Sequence, residues 1–323
     1  MRRPGLTICI VWMLMIGFSC SSSKKTQSEV REPFETDLQT VVPDTFVLPR
    51  IPETLTSSDD RAAYLVMHFW DRFDFTDREL IDRPEITEQA FVDYINILNY
   101  VPGKTADASF LNTLDKAEAD TAVFVHFATL FEKYFYDPNS PFRNEEYYLP
   151  VLQELVQSPL LPQANLERYE FQLEMAMKNR IGQKATDITY TLASGQSFAL
   201  HDLKSEYTLL MFSNPGCPTC EAVMEQLSRS KALNEALSLN SPTRVMLTIL
   251  TFYLYNDLDE WNSHLPGMPV KWVHAYDKEM KVLNHRLYDI KAIPTLYLLD
   301  KEKKVILKDT SLEAIEVFFS VSR

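Results

Sequence analysis

The stretch that decides the fold is an apolar run followed by a turn and two cysteines. It reads Leu209-Leu210-Met211-Phe212-Ser213-Asn214-Pro215-Gly216-Cys217-Pro218-Thr219-Cys220. The apolar part, from residue 207 to residue 212, is typical of a buried central strand. A Pro-Gly turn comes next, and residues 221–237 predict a helix. The two cysteines therefore lie where a buried strand passes into a helix.

This position of the cysteine pair favours thiol–disulfide chemistry. At a helix N-terminus, free N–H groups and the helix dipole favour the thiolate form of Cys217, which is the form that attacks a disulfide. Cys220 lies one helical turn further on, where it can resolve the mixed disulfide. Pro218 suits the first turn because no N–H is needed there. We therefore predict Cys217 as the nucleophile and Cys220 as the resolving cysteine, in a loop completed by Gly216, Pro218 and Thr219.

The C-terminal part of the chain, residues 183–323, alternates between strand and helix patterns. Such alternation indicates a mixed α/β sheet flanked by helices. The predicted strands are a hairpin over 187–200 and the segments 207–212, 244–254, 295–299 and 304–307. The predicted helices are 221–237, 258–265, 278–287 and 311–321. The segment from Trp261 to Trp272 is expected to be a helix end and a loop, bordering the site only if folding brings it near Cys217.

Residues 59–180 show a different pattern, with apolar side chains at helical spacing and proline-containing breaks between the runs. This pattern predicts an all-α domain. Aromatic side chains at helical spacing favour a packed core, with a partner-binding groove as the alternative. Those aromatic residues are Phe69, Trp70, Phe73, Phe124, Phe127, Phe131 and Tyr134.

The N-terminus carries a targeting pattern. Two arginines precede the apolar run 6–18, which is too short to span a bilayer comfortably. The run ends at Ser19-Cys20 and resembles a bacterial lipoprotein signal. We therefore predict a signal peptide at 1–19, lipidation of Cys20 and a polar tether over 20–58, which would hold the protein on a membrane of the cell envelope with its domains in the periplasm. An ordinary signal peptide or an uncleaved anchor is the alternative.

Composition narrows the possible chemistry. The chain has 323 residues, a formal net charge of −13, 7 glycines and 4 cysteines. The acidic balance argues against a nucleic-acid partner. Cys9 lies in the signal and Cys20 would carry lipid, so only Cys217 and Cys220 remain as thiols and no structural disulfide framework is expected. The histidines form no metal-binding pair near Cys217, and neither a metal site nor a bound cofactor is predicted.

The region 183–323 resembles the thioredoxin superfamily, and within it the TlpA-like envelope thiol–disulfide oxidoreductases. The resemblance is carried by the hairpin 188–203, by the cysteine segment quoted above, and by the segment Ile290-Lys291-Ala292-Ile293-Pro294-Thr295-Leu296-Tyr297-Leu298-Leu299-Asp300. In that family an Ile-Pro-Thr segment carries a cis proline facing the cysteines. The resemblance thus implies that Pro294 is cis and that Ile293 can pair with an extended substrate strand.

Two residues depart from the family pattern. Gly216 stands where members often have Trp, and Met211 stands where thioredoxin buries an Asp. The apolar collar around the first sulfur is therefore altered, and no general base for Cys220 is evident. Glu221, the next residue, is more typical of a solvated first-turn acid.

The resemblance implies reduction of protein disulfides without a bound cofactor. Because the periplasm is oxidising, such a reductase needs an electron donor, for which a membrane reductant is expected. Two alternatives stay open. The protein could be a partner-binding scaffold lipoprotein with a secondary redox role, or it could be a disulfide oxidase or isomerase.

Overall fold

The computed structural model describes residues 45–321. Within them a helical region is followed by a mixed sheet flanked by helices, which confirms the predicted fold class. The predicted signal peptide, Cys20 and most of the predicted tether lie outside the described residues. Across the described part of the chain, no helix is long and apolar enough to cross a membrane.

The helical region contains α1 (Ser58–His68), α2 (Thr87–Asn96), α3 (Gly103–Ala117), α4 (Thr121–Phe135), α5 (Glu145–Leu155) and α6 (Gln163–Ala176). Polar side chains just ahead of three of these helices accept hydrogen bonds from their free N–H groups. Ser57 caps α1, Asp120 caps α4 and Asn144 caps α5. Such caps explain why these helices begin where they do.

Aromatic side chains form the core of this region, in line with their helical spacing. Trp70 is 2% exposed, and its ring lies 5.0 Å from that of Phe127 at an angle of 85°. Edge-to-face pairs of this kind are favourable. Phe46 belongs to the segment predicted as a free tether, yet its ring stacks on Phe69 at 5.0 Å. This part of the chain is therefore docked on the helical region.

The sheet is built from β1 (Thr189–Leu192), β2 (Ser197–Ala199), β3 (Tyr207–Ser213), β4 (Leu247–Tyr253), β5 (Val273–Tyr276), β6 (Thr295–Leu299) and β7 (Val305–Leu307). Its strand order is β2-β1-β5-β4-β3-β6-β7. β3 pairs with β4 in parallel and with β6 antiparallel. The strand that leads to Cys217 is thus central and covered on both faces, which accounts for its unbroken apolar sequence.

The helices around the sheet are α7 (Pro218–Arg229), α8 (Lys231–Ser238), α9 (Leu258–His264), α10 (Lys281–Asn284) and α11 (Leu312–Val321). The predicted single helix 221–237 is wrong, because Ser230 has an extended backbone that ends α7 and a hydroxyl that caps α8. The predicted helix 278–287 is shorter, because Met280 and Arg286 on either side take positive φ angles of 52° and 50°.

Strand β5 has no counterpart in the sequence prediction. It is four residues long and contains the polar His274, so its sequence shows too little alternation to be recognised. Its partners define it instead. His274 pairs with Thr251 of β4, and the Thr251 Oγ1 and His274 Nδ1 atoms lie 2.8 Å apart. Through β5 the sheet continues from β4 to the hairpin of β1 and β2.

Candidate dithiol site

The loop between β3 and α7 carries both cysteines. β3 ends at Ser213 and α7 begins at Pro218. Cys217 is the N-cap of α7, and its sulfur accepts a hydrogen bond from the backbone N–H of Cys220 at 3.4 Å. The sulfur therefore satisfies one of the N–H groups that the start of a helix leaves free. Thr219 lies in the same first turn and is exposed.

The two sulfurs lie in different surroundings. Cys217 is partly exposed, whereas Cys220 is fully buried. Burial, followed by the hydrogen bond with the Cys217 sulfur, raises the pKa of Cys220 to about 12. Cys220 is consequently a protonated thiol at neutral pH. Of the two sulfurs, only that of Cys217 is open to a molecule arriving from solvent.

The space behind Cys220 is apolar. Met211 is fully buried on β3 and belongs to the same apolar cluster as Cys220 and Met224. Met211 thus places a thioether where thioredoxin has a carboxylate, and it cannot take a proton from Cys220. Glu221 is the acidic residue that follows Cys220, and its negative charge contributes to the raised pKa of Cys220.

The segment before β6 approaches the cysteines from the other side of β3. The Ile293–Pro294 peptide bond is cis. Pro294 is followed directly by Thr295, which pairs with Phe212 of β3. Ile293 is half-buried and packs against the same apolar cluster as Cys217. The structure thus brings together the cysteine pair and the Ile-Pro segment, which are far apart in sequence.

Gly216 stands directly before Cys217, at the position where many members of the family that the sequence resembles have Trp. Its φ angle is +67°, a left-handed conformation that favours glycine. A Cβ atom built on it would lie 3.5 Å from Glu260 Oε1 and 3.9 Å from the His264 ring. Side chains from α9 therefore occupy the space beside the first cysteine. The Nδ1 atom of His264 lies 4.0 Å from Glu221 Oε1, which links α9 to the first turn of α7.

A cavity of about 610 Å³ lies between α7 and the segment that follows α9. Gly216 and Pro218 line one wall, and Gly267, Met268 and Pro269 line another. The segment 261–272 therefore does border the cysteine loop. The sequence alone predicted this contact only if folding brought the segment near Cys217.

Sequence reasoning missed Glu260 as a neighbour of the cysteine loop, and it named His264 only as part of the segment 261–272. Both lie in the connection from β4 to β5, whose length alone does not show where it folds back. The one available signal was the run of Pro and Gly residues in 266–269, which indicates a bend but no partner. In residues 45–321, no group of three or more His, Cys, Asp or Glu side chains is arranged to hold a metal ion.

Two protein families match successive parts of the chain. Residues 19–179 match a family described as a domain of unknown function, DUF5106. Residues 205–305 match a family described as thioredoxin-like. The second match contains both the cysteine pair and the Ile293–Pro294 bond. No curated protein matches the chain.

Solved structures from Bacteroides species are similar to the chain. The C-terminal domain of an uncharacterized protein from Bacteroides fragilis is 42% identical and covers 44% of this chain and 98% of its own, with a TM-score of 0.42. A thioredoxin-like protein from Bacteroides caccae is 44% identical, covers 87% of this chain and 100% of its own, and has a TM-score of 0.82. This likeness extends over the helical region as well as the sheet, so the chain belongs to the thioredoxin-like family.

Proposed function

We propose that this protein is a thiol–disulfide oxidoreductase that reduces protein disulfides through Cys217 and Cys220. The observation that carries the proposal is the difference between the two sulfurs. Cys217 is accessible and accepts a helix N–H, whereas Cys220 is buried and protonated. An accessible sulfur can begin an exchange, and a buried neighbour one turn away can complete it.

The reaction transfers two electrons to the substrate. The Cys217 thiolate attacks one sulfur of a substrate disulfide, a mixed disulfide forms, and the other substrate sulfur leaves as a thiolate. Cys220 then loses its proton, for which that departing thiolate is an available base. Its sulfur attacks Cys217 Sγ, which closes the Cys217–Cys220 disulfide and releases the second substrate sulfur. The substrate is reduced and the protein is oxidised.

The oxidised protein needs two electrons from an external dithiol before it can act again. Electron transfer from the protein to the substrate is favoured by a resemblance. The Ile-Pro-Thr segment and the cysteine segment of this chain resemble those of the TlpA-like reductases. The lipoprotein-type signal at 1–19 favours a place in the bacterial cell envelope, with lipid on Cys20 and the folded part in the periplasm. A reductant in the membrane would then be close enough to the protein to donate these electrons.

Reduction of insulin disulfides by the full chain, with dithiothreitol as the donor, tests the proposal. We expect Cys217→Ser to abolish the rate above that of dithiothreitol alone, and reduced Cys220→Ser, incubated with insulin without dithiothreitol, to accumulate a mixed disulfide with the substrate. Cys20→Ser removes a cysteine outside the pair, serves as the matched control and keeps wild-type activity. Activity that survives Cys217→Ser would exclude this chemistry.

The reduction potential of the Cys217–Cys220 pair tests the direction separately. A value near that of thioredoxin, about −270 mV, supports reduction of substrates. A value near that of strongly oxidising periplasmic enzymes, about −120 mV, would overturn it. The measurement uses the purified protein equilibrated with glutathione buffers and does not depend on a substrate.

A further inference from the structure

The segment that leads to the cis proline has no helix or strand of its own. α10 ends at Asn284 and β6 begins at Thr295, so the intervening residues lack a regular hydrogen-bond ladder. We refer to residues 286–291 as the approach segment. A stretch of this kind owes its position to side-chain contacts from its surroundings. Its apolar side chains Leu287, Tyr288 and Ile290 pack on the core of the sheet, whereas its charged and backbone-directed contacts come largely from the helical region.

The backbone N–H groups of Arg286 and Leu287 donate to carbonyl oxygens of α10 at 3.2 and 2.9 Å, and two side chains from the end of the helical region hold the carbonyl oxygens of the same residues. Lys178 Nζ donates a hydrogen bond to the carbonyl oxygen of Arg286 at 2.7 Å. Asn179 Nδ2 donates to the carbonyl oxygen of Leu287 at 2.8 Å, while Asn179 Oδ1 accepts from the Thr186 backbone N–H at 2.7 Å. Asn179 is only 4% exposed. Residues just after α6 thus supply hydrogen bonds to the start of the approach segment, which has no regular hydrogen-bond ladder of its own.

Lys291 holds the other end, two residues before Ile293. Its side chain is 6% exposed, and its Nζ atom lies 3.0 Å from Glu145 Oε2 and 3.0 Å from Asp289 Oδ2. The same Nζ atom lies 4.4 Å from the ring centre of Tyr136. Glu145 opens α5, and Tyr136 follows α4. A buried ion pair therefore joins the helical region to a residue two positions before the cis Ile293–Pro294 peptide.

Lys291 keeps its charge in this setting. Burial alone would lower its pKa, but the negative charges of Glu145, Asp289 and Asp309 raise the pKa above its usual value. Glu145 also pairs with Lys308, whose Nζ atom donates to the carbonyl oxygens of Ala176 at 2.9 Å and Lys178 at 2.6 Å. Each buried charge thus has an opposite partner, which ties α5, the end of α6 and the approach segment into one unit.

We propose that the helical region is the positioning element of the peptide-binding loop, acting through Glu145 on Lys291. The pair fixes the approach segment and thereby the backbone of Ile293, where a substrate strand would add. This inference rests on the proposed function and assigns the helical region a role in it. A large protein substrate needs that backbone edge, whereas a small disulfide needs only the Cys217 sulfur.

Glu145→Gln removes the charge of the positioning residue and keeps its shape. Glu132→Gln is the matched control. Glu132 is also a half-buried helical acid, and its partners Arg168 and Gln172 lie within the helical region. Four measurements on the full chain are compared: hydrogen–deuterium exchange of residues 286–296, kcat and KM with insulin, the reaction rate with 5,5′-dithiobis(2-nitrobenzoate), and the reduction potential of the Cys217–Cys220 pair.

In Glu145→Gln we expect about tenfold faster exchange of residues 286–296 and about tenfold lower kcat/KM with insulin, arising mainly from a higher KM. The rate with the small disulfide and the reduction potential stay at their wild-type values. Glu132→Gln leaves all these quantities unchanged. Unchanged exchange in Glu145→Gln, or an equal effect in Glu132→Gln, would overturn the inference. An equal loss with the small disulfide would also overturn it, because it would indicate general damage.

A second variant decides the question if Glu145→Gln does not fold. Lys178 has a side chain that is 27% exposed, and Lys178→Met removes the contact to the Arg286 carbonyl at the start of the segment together with the exposed ion pair to Glu174. We expect it to change exchange and KM in the same direction by about threefold. Unchanged values would then contradict the inference. Hydrogen–deuterium exchange does not depend on catalytic activity. It therefore tests the positioning role even if the wild-type protein is found to reduce no disulfide.

Discussion

Gly216 is a residue at which this site departs from the pattern of the family that the cysteine segment resembles. A Trp at this position would need a left-handed backbone, which costs an L-residue free energy. The space beside it already contains Glu260 and His264 from α9. The collar around Cys217 is therefore polar on this side, whereas Ile293 supplies an apolar wall on the other.

Gly216→Ala should lower the free energy of unfolding by about 1–2 kcal/mol, because the φ angle of +67° is unfavourable for alanine. Urea unfolding monitored by circular dichroism measures the change. Gly267→Ala is the matched control, since Gly267 has no positive φ and a Cβ there meets nothing within 4 Å. An equal loss in both variants would show that the backbone conformation of Gly216 is not the cause.

At the scale of residues, the sequence was sufficient for those positions whose chemistry is local. Cys217 and Cys220 were named because their spacing and their helix start lie within one short segment. Pro294 came from the family resemblance. Glu260 was not predicted, and His264 was predicted only as part of the segment 261–272, since the path of the β4–β5 connection is what brings them to Gly216.

At the scale of elements, the turn that contains Lys303 differs from what its sequence indicates. Residues 300–303, which join β6 to β7, are all charged, a composition typical of a surface turn. The structure buries Lys303 to 1% exposure, and its Nζ atom donates to Thr208 Oγ1 at 3.0 Å. Burial lowers the pKa of Lys303 to about 8. The folded protein therefore releases this proton at a lower pH than the unfolded chain does.

The stability of the wild-type protein should consequently rise as the pH increases from about 8 towards 10.5. Over that interval the unfolded chain binds the Lys303 proton and the folded protein does not. We expect this to contribute about 1–2 kcal/mol, since solvent near the turn screens part of the charge. Lys303→Met removes the contribution.

Urea unfolding at pH 7 and at pH 10 checks this, with Lys301→Met as the control because Lys301 is exposed in the same turn. The difference in stability between wild type and Lys303→Met should depend on pH, and the difference for Lys301→Met should not. A pH-independent difference for Lys303→Met would contradict the lowered pKa.

Among the strands of residues 45–321, every one except β5 was predicted from the sequence. β3 and β4 are buried on both faces, so each shows a run of apolar residues that no surface segment would have. β5 has four residues and owes its existence to pairing with β4 and β1. Ser230 divides α7 from α8 although its neighbours continue a helical pattern, because a serine can end one helix and cap the next.

At the scale of the whole molecule, the sequence predicted two regions but not how they meet. The change from helical to alternating pattern is visible near residue 182. The contact between the regions is a network of buried charges, and charged residues in a sequence indicate surface far more often than interior. Glu145 and Lys291 could therefore not be recognised as partners before the fold was known.

The proposed lipid anchor would also be a property of the whole molecule. Cys20→Ala should move the protein from the membrane fraction to the soluble fraction of the envelope if its signal is still removed, because stable anchoring needs acyl chains. Cell fractionation with metabolic labelling by a fatty-acid analogue measures this, and Cys9→Ala is the matched control. A Cys20→Ala protein that stays in the membrane without label would favour an uncleaved anchor.

Cys217 and Cys220 are the free cysteines among residues 45–321. The reduced Cys217–Cys220 pair stores two electrons. Within this part of the chain there is no second cysteine pair that could accept them. Under the proposed function, donor and substrate must therefore visit the same sulfur in turn. Each competes with the other for one docking surface, so turnover follows ping-pong kinetics in which an excess of either partner slows the other's half-reaction.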